Sequence, residues 1–349
     1  MNGRQEHQEF IEMKIRKKLK NKPQYLIDYS RTFGDKTICT KNAYIDYVID
    51  FLNYLNTELG YDINDTDCFK NIKTSTINGY SEHIRYRIIE KKKDGKVIET
   101  RKVENGESIR ASKLYAIKDF FNFLCIDKYI NEDPSLNISI PKAKDETQVI
   151  ALNEKEVSIL KKNIENGVGT SKAKRRQSPW KNRDLAIVMI GLVTGLRVES
   201  LVEINMSDID FQTYSINVIE KGNKARTCYI GNNTMDILKN WINDRDKILD
   251  GEKCNALFLS SMKKDGLHTR ITTSGVRKLI NKYTSNINKK ITPHKLRSTC
   301  ATMTYQNTGD IYLTASLLGH KNIQNTRRYA MVAESERKTA ASKLDNIFR

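Results

Sequence analysis

The stretch "ITPHKLRSTCATMTYQNTGDIYLTASLLGHKNIQNTRRYA", residues 291–330, carries the signals that decide how the C-terminal part of the chain folds. Thr292 is a residue type that caps helices, and Pro293 suits the first helical turn. His294 and Arg297 are three residues apart, so they project from one face of this helix near its positive end. This arrangement suits an anion, although such a pair taken alone is more often a surface or packing feature.

The end of the same stretch adds two further polar candidates. Gly319 is a residue type that commonly ends a helix, so His320 is expected just beyond a helix terminus. Tyr329 follows nine residues later and is expected on the next helix. A lone tyrosine at helical spacing is usually a core residue, so this position alone predicts no chemistry.

Length and composition limit the kind of protein. At 349 residues the chain is longer than one core usually supports, so we expect two domains. Lys and Arg number 60 against 42 Asp and Glu, and this net charge of +18 favours nucleic acid as the partner. The longest apolar run, residues 185–193, is too short to span a membrane, and the N-terminus lacks a secretory signal. We therefore expect a cytoplasmic protein. The six cysteines form no CxxC pair, so we expect no metal site, and no cofactor is predicted.

Helical periodicity identifies the first domain. Residues 40–55 and 112–125 both place apolar residues at helical spacing, which predicts two helices with one apolar face each. Between them, the Asp94-Gly95 step lies among basic and β-prone residues and predicts a hairpin or a long loop. This insertion is interpreted as a basic finger or as a solvated charged segment. Residues 1–135 are therefore predicted to form an N-terminal helical domain.

Residues 136–150 have neither helical nor strand periodicity and are predicted to be a linker to a second domain, residues 151–349. Asn153 and Glu156 have capping-box spacing, which predicts the start of a helix. Residues 167–181 are predicted to be a loop that contacts DNA phosphates or is merely solvated, and its basic residues are Lys172, Lys174, Arg175, Arg176 and Lys181. Residues 210–230 predict a hairpin with its turn at "KGNK". The predicted fold is mainly α with two domains, the second an α+β domain of helices with a small antiparallel sheet.

Six polar residues occur in an order that resembles the tyrosine recombinases, the phage integrase family with its lambda-integrase and Xer-like members. The motifs that carry the resemblance are "TGLR" (Arg197), "EKGNK" (Lys221), "HKLR" (His294, Arg297), "LLGH" (His320) and Tyr329. Each motif is weak by itself, whereas the complete order and the spacing from Arg297 through His320 to Tyr329 are specific. The motifs cover about residues 150–335. The N-terminal domain, residues 1–135, is similar only in size and helical character, and the resemblance implies that it is a core-binding-like domain that binds DNA.

The resemblance implies a role for each of the six residues: Tyr329 as nucleophile, Arg197 and Arg297 as phosphate clamp, Lys221 as the hairpin lysine, and His294 and His320 as the two histidine positions. Paired guanidinium groups stabilise charge on the nonbridging oxygens of a phosphodiester under attack. Only about one tyrosine in a thousand is ionised at neutral pH, so the phenol loses its proton during attack, to His294 or to water. The departing 5′ oxygen needs a proton, for which Lys221 is the candidate, whereas His320 is interpreted as a hydrogen-bond donor to the phosphate.

One position departs from the family pattern. Where the family usually reads Arg-x-Ser-Glu-Leu, this chain reads "RVESL", residues 197–201, so Ser200 stands at the acidic position and Glu199 one place earlier. One helical step rotates a side chain by about 100 degrees, so Glu199 is not expected to substitute. Arg197 is therefore expected to be supported by a carboxylate from elsewhere or by the Ser200 hydroxyl.

The resemblance implies a site-specific DNA recombinase, or an integrase of a mobile genetic element. It would cleave and rejoin DNA through a covalent 3′-phosphotyrosine intermediate without ATP or metal. It also implies a two-domain clamp on double-stranded DNA with paired recombination sites, and a homo-tetramer on DNA held together by a C-terminal tail helix. Accessory DNA-bending proteins fit this scheme, and the short segment before Thr40 suggests no separate arm-site module. The alternatives are a type IB topoisomerase-like enzyme that relaxes DNA, and a non-catalytic basic DNA-binding protein.

Overall fold

A computed structural model describes residues 3–34, 36–93, 96–142, 149–220, 224–320, 322–330 and 345–346. The chain divides into two compact units, residues 3–145 and the residues from 146 onward, and each has its own hydrophobic core. The fold is mainly helical with two small antiparallel sheets, so the predicted fold class is confirmed. Among the described residues, no helix combines the length and apolar character that a bilayer span requires.

The N-terminal unit is a helical domain with one hairpin. Its elements are α1 (Gly3–Leu19), α2 (Gln24–Tyr29), α3 (Ile38–Leu59), α4 (Thr74–His83), β1 (Tyr86–Lys93), β2 (Lys96–Glu104) and α5 (Glu107–Ile126). The helices predicted at residues 40–55 and 112–125 lie within α3 and α5, which pack against each other. Because β1 and β2 pair antiparallel, the segment between the helices contains a hairpin, although Asp94 and Gly95 lie outside the described residues.

The C-terminal unit contains the remaining elements. They are α6 (Glu154–Asn166), α7 (Ser171–Gln177), α8 (Lys181–Thr194), α9 (Val198–Glu203), β3 (Ile209–Asp210), β4 (Ser215–Glu220), β5 (Lys224–Tyr229), α10 (Asn232–Leu249), α11 (Thr273–Tyr283), α12 (Pro293–Thr308), α13 (Ile311–Leu318) and α14 (Gln324–Ala330). The capping box that starts α6 is confirmed, since Asn153 and Glu156 exchange side-chain to backbone hydrogen bonds of 2.8 and 2.9 Å. Thr292 lies at the N-cap of α12 without a side-chain capping bond, because the Lys295 amide bonds to its carbonyl instead.

Helix α8 lies at the centre of this unit. It comes from the apolar run at residues 185–193 and packs against α6, α10 and α12, which explains why it is apolar on most of its surface. A Cβ at Gly191 would lie 3.5 Å from Leu296 Cδ1, an ordinary van der Waals distance, so α8 and α12 are in side-chain contact at this point. The predicted hairpin at residues 210–230 is formed by β4 and β5, and β3 adds a third antiparallel strand.

The prediction of a loop at residues 167–181 is wrong for most of this segment. Residues 171–177 form α7, a 3₁₀ turn follows at residues 178–180, and Lys181 is the first residue of α8. The Thr170 hydroxyl caps α7 by accepting a hydrogen bond of 3.3 Å from the Ala173 amide. The segment has no apolar period, but its Lys, Arg, Ala and Gln residues have high helix propensity. Propensity and the cap therefore determine this short helix.

Candidate active site

The turn between α8 and α9 positions Arg197. Gly195 ends α8 in the left-handed conformation, with φ of 58°, and a Cβ there would lie 2.6 Å from Leu318 Cδ2. Glycine is the residue type that combines this φ with so close an approach. The chain therefore turns tightly within "TGLR", and Arg197 follows at the N-cap of α9 with 37% of its side chain exposed.

Arg297 is a buried cation on α12 with 1% exposure. Its Nη1 donates to the Gly195 carbonyl over 2.5 Å, and its Nη2 donates to the Leu318 carbonyl over 2.7 Å. In the part of the chain that the structure describes, these contacts are with carbonyls and no carboxylate forms an ion pair with Arg297. Burial, followed by the charge of Arg197, lowers the pKa of Arg297 to about 10, so it is cationic at neutral pH. A buried cation without a carboxylate in contact favours binding of an anion.

A pocket of about 350 Å³ opens where these elements meet. Arg197, Arg297, His294 and the exposed Arg277 of α11 line it, and Glu199 is an acidic residue at its wall. The structure thus brings together three of the six predicted residues around one cavity of positive character. Such a cavity can hold a phosphate group.

The two histidines lie close to this positive charge. Enclosure of the ring, then the charge of Arg297, lowers the pKa of His294. The same two causes lower the pKa of His320 to about 4, with Arg197 contributing next. His320 follows Gly319, which ends α13 as predicted, and its Nδ1 lies 2.9 Å from the Thr326 hydroxyl of α14. Both imidazoles are therefore neutral at neutral pH in the DNA-free protein.

Tyr329 lies on α14 with 2% exposure. Its ring belongs to a small cluster with Ala301 and Leu318. Its phenol is close enough to Arg297 to affect the pKa of that guanidinium. Of the described residues, those that line the pocket do not include Tyr329. The predicted helical position is confirmed, and the side chain is a buried neighbour of the arginine site.

Glu220, the last residue of β4, is a buried carboxylate that contacts two arginines. Its Oε2 accepts a hydrogen bond of 3.2 Å from Arg197 Nη1, and its Oε1 accepts one of 3.0 Å from Arg226 Nη1. The Ser200 hydroxyl instead donates to the Ile219 carbonyl over 3.4 Å. Of the two alternatives for support of Arg197, the structure shows a carboxylate from elsewhere in the chain.

The remaining predicted residues are not at the pocket or cannot be placed. Lys221 lies outside the described residues, between the end of β4 and the start of β5. The predicted phosphate contacts Lys172, Lys174, Arg175 and Arg176 are exposed on α7, and Lys181 is exposed at the start of α8. They form a basic helical surface in place of the predicted loop.

The sequence motifs did not identify four residues at or near the site: Glu220, Arg226, Arg277 and Thr326. Glu220 had a usable signal, because β4 alternates between buried and exposed positions and Glu220 falls on a buried one. A buried carboxylate requires a partner, which predicts a nearby cation. The other three had no such signal, since their contacts depend on how distant segments pack.

A mainly helical unit in which Arg197, Arg297 and His294 line one pocket defines the class of tyrosine recombinases, since His320 and the buried Tyr329 also lie close to Arg297. The sequence pattern of the phage integrase family matches residues 151–336, which is more than half of the chain. The chain belongs to the phage integrase family, as the resemblance predicted.

Curated relatives carry the same class name. The tyrosine recombinase XerC of Caldanaerobacter subterraneus subsp. tengcongensis is 32% identical over 250 residues, which cover 70% of this chain and 65% of the relative, just under two thirds of its length. The tyrosine recombinase XerD of Staphylococcus haemolyticus is 30% identical over 245 residues, covering 67% of this chain and 76% of the relative. The tyrosine recombinase XerS of Streptococcus thermophilus is 26% identical over 322 residues, covering 86% and 89%.

Solved structures show the likeness of fold. The XerH site-specific recombinase bound to palindromic difH substrate, in its post-cleavage complex, matches with a TM-score of 0.61 and 20% identity. The match covers 88% of this chain and 80% of XerH. A lambda integrase dimer bound to a COC′ core site matches with a TM-score of 0.60 and 16% identity, and the match covers 88% and 94%. The likeness extends over both units of the chain.

Proposed function

We propose that this protein is a cytoplasmic site-specific DNA recombinase that cleaves and rejoins strands through a covalent 3′-phosphotyrosine at Tyr329. The observation that carries the proposal is the pair of guanidinium groups of Arg197 and Arg297 at one pocket of about 350 Å³. Two fixed cations at one cavity match the charge that develops on a phosphodiester in its transition state. The names and bound DNA of the related proteins support the same reaction class.

The proposed cleavage is one displacement at phosphorus. The Tyr329 oxygen bonds to the scissile phosphorus while the bond from phosphorus to the 5′ oxygen breaks. The phenol proton passes to His294 or to water, and Lys221 supplies a proton to the leaving 5′ oxygen. Rejoining runs in reverse, when the 5′ hydroxyl of the partner strand attacks the phosphotyrosine and the phenol is restored. The number of phosphodiester bonds is conserved, so the cycle requires no ATP.

His320 acts in this scheme as a neutral donor to the phosphate. Its pKa of about 4 excludes a charged imidazolium at neutral pH in the free protein. Thr326 is fully buried, and its hydroxyl lies 2.9 Å from Nδ1 of His320. In the proposed tautomer this hydroxyl donates to Nδ1, and the ring proton lies on Nε2. An Nε2–H group donates to a nonbridging oxygen without taking part in proton transfer.

The two predicted domains divide the task of binding DNA from that of cutting it. Residues 1–135 bind the duplex, residues 136–150 link the domains, and residues 151–349 catalyse, with the exposed cations of α7 contacting phosphates. The net charge of +18 supports binding of DNA by the chain as a whole. Phosphate contacts release counterions, so affinity should fall steeply as salt is raised.

The proposal is tested by trapping covalent complexes from a pool of nicked duplexes with randomised sequence, in the presence of a chelator. Trapped DNA is recovered with the denatured protein and sequenced. A recombinase enriches one sequence, a topoisomerase-like enzyme forms adducts without sequence preference and relaxes supercoiled plasmid, and a DNA-binding protein forms none. Absence of any adduct would refute the catalytic proposal.

The proposed assembly on paired sites is a homo-tetramer held by the C-terminal tail, most of which lies outside the described residues. Truncation after Ala333 should weaken assembly of the four-subunit complex by at least about tenfold, which corresponds to about 1.4 kcal/mol. Binding to a single site should change less, because the tail lies beyond the residues proposed to contact DNA. Gel-shift titrations on one-site and paired-site duplexes measure both, and equal losses would show that the tail packs on its own domain.

A further inference from the structure

The carboxylate of Glu220 is held from two sides. Each oxygen accepts a hydrogen bond from a different guanidinium, Arg197 at 3.2 Å and Arg226 at 3.0 Å, and the side chain is 8% exposed. Arg226 is fixed in turn, because its Nη2 donates to the Thr194 carbonyl at the end of α8 over 3.0 Å. Glu220 is therefore a fixed anion that the partly exposed side chain of Arg197 contacts directly.

Ser200, at the position where the family usually carries an acidic residue, lies beside this anion. It is 5% exposed on α9, and its hydroxyl donates to the carbonyl of Ile219, the residue next to Glu220. A carboxylate at position 200 would approach the end of β4 from the helix side. In this chain the negative charge is instead that of Glu220 on β4, and α9, which carries Ser200, packs against this strand.

We propose that Glu220 is the positioning residue of Arg197 and takes the place of the acidic residue that Ser200 replaces. This inference rests on the proposed function, because the orientation of Arg197 matters only if Arg197 contacts the scissile phosphate. Arg197 requires a nearby negative charge because Arg197 and Arg297 line one pocket and repel each other. The Glu220 carboxylate compensates that repulsion and keeps Arg197 from turning toward solvent.

The space for this carboxylate depends on the "LLGH" motif. A Cβ at Gly319 would lie 2.8 Å from Glu220 Oε2 and 2.7 Å from Arg226 Nη1. A side chain at residue 319 would therefore displace the pair that orients Arg197. Because Lys221 follows Glu220 directly in the chain, the same ion pairs also fix the strand end from which the hairpin lysine departs.

The test uses Glu220→Gln, which keeps the side-chain volume and removes the charge. On a nicked duplex recovered from the adduct selection, single-turnover cleavage should slow by about 10- to 100-fold, the scale of a misplaced catalytic group. DNA binding should change by less than about threefold, because a positioning residue acts in the transition state. The matched control is Glu252→Gln, another paired carboxylate of the same unit, which contacts Lys263 and the His268 amide and should cleave like the wild type.

Two further measurements separate positioning from general damage. In a duplex with a methylphosphonate at the scissile position, one nonbridging oxygen and its charge are absent, so orientation of Arg197 matters less. The ratio of wild-type to Glu220→Gln rates should then fall toward one, and an unchanged ratio would overturn the inference. Adding Ser200→Glu to Glu220→Gln should restore most of the cleavage rate, whereas a folded double variant as slow as Glu220→Gln would also overturn it.

The experiment stays decisive if the first variant is unstable. Thermal melting first defines a temperature at which all variants are folded, because Arg226 also loses a partner. If Glu220→Gln does not fold, Glu220→Asp takes its place in the same comparison, since it keeps the charge but withdraws it by one methylene from Arg197. Failure of the wild type to form any adduct would count against the proposed function. If the wild type forms the adduct and the Glu220 variants cleave at the same rate, this inference alone is refuted.

Discussion

Tyr329→Phe should bind DNA normally and form no covalent adduct. The substitution removes one hydroxyl and leaves the ring, which packs with Ala301 and Leu318, so the fold should be unaffected. Loss of a covalent nucleophile typically costs on the order of 10⁴- to 10⁶-fold in rate, which places residual cleavage below detection. The measurement is adduct formation on the selected nicked duplex, alongside a gel-shift titration of binding.

The sequence contains 16 tyrosines, so the assignment of Tyr329 is specific and open to contradiction. Tyr305→Phe is the matched control, because Tyr305 is partly buried on α12 of the same unit and also loses one hydroxyl. It should form the adduct at the wild-type rate. An adduct with Tyr329→Phe would place the nucleophile elsewhere and would refute the interpretation of residues 291–330.

Lys221→Ala should lose about 10²- to 10⁴-fold in cleavage, the usual contribution of a general acid. The loss should depend on the leaving atom. A thiol has a pKa of about 8.5, whereas an alcohol is as weak an acid as water, with a pKa of about 15.7. A bridging 5′ sulfur therefore departs as the anion without a proton. A 5′-thio substrate should therefore restore cleavage by Lys221→Ala to near the wild-type rate.

The same pair of substrates distinguishes the other proposed roles. Sulfur at the 5′ position should not rescue Arg197→Ala or Arg297→Ala, because these residues are proposed to act on nonbridging oxygens. Lys224→Ala is the positional control, since Lys224 is the exposed first residue of β5 after the same turn. Single-turnover rates at fixed salt give the comparison. Equal slowness of Lys221→Ala on both substrates would leave Lys221 with a phosphate contact only.

Much of the fold followed from local patterns. The helices at residues 40–55 and 112–125 and the capping box at Asn153 were predicted because apolar period and capping chemistry act over a few residues. The helix α7 was missed because it has no apolar face to reveal it. Its cap and propensity are weaker signals than periodicity, and a charged segment without an apolar period resembles a loop.

The sequence by itself determined the family and the order of the six residues that are proposed for chemistry, because the motifs are short and their spacing is local. Only the tertiary structure decided how those side chains are supported. Arg297 is held by carbonyls at Gly195 and Leu318, residues that only the packing of α8, α12 and α13 brings together. The carboxylate for Arg197 comes from Glu220 on β4, 23 positions along the chain. An ion pair depends on the distance between the two charged groups and not on their separation along the chain. A carboxylate from any segment that reaches the Arg197 guanidinium can therefore pair with it, as Glu220 does.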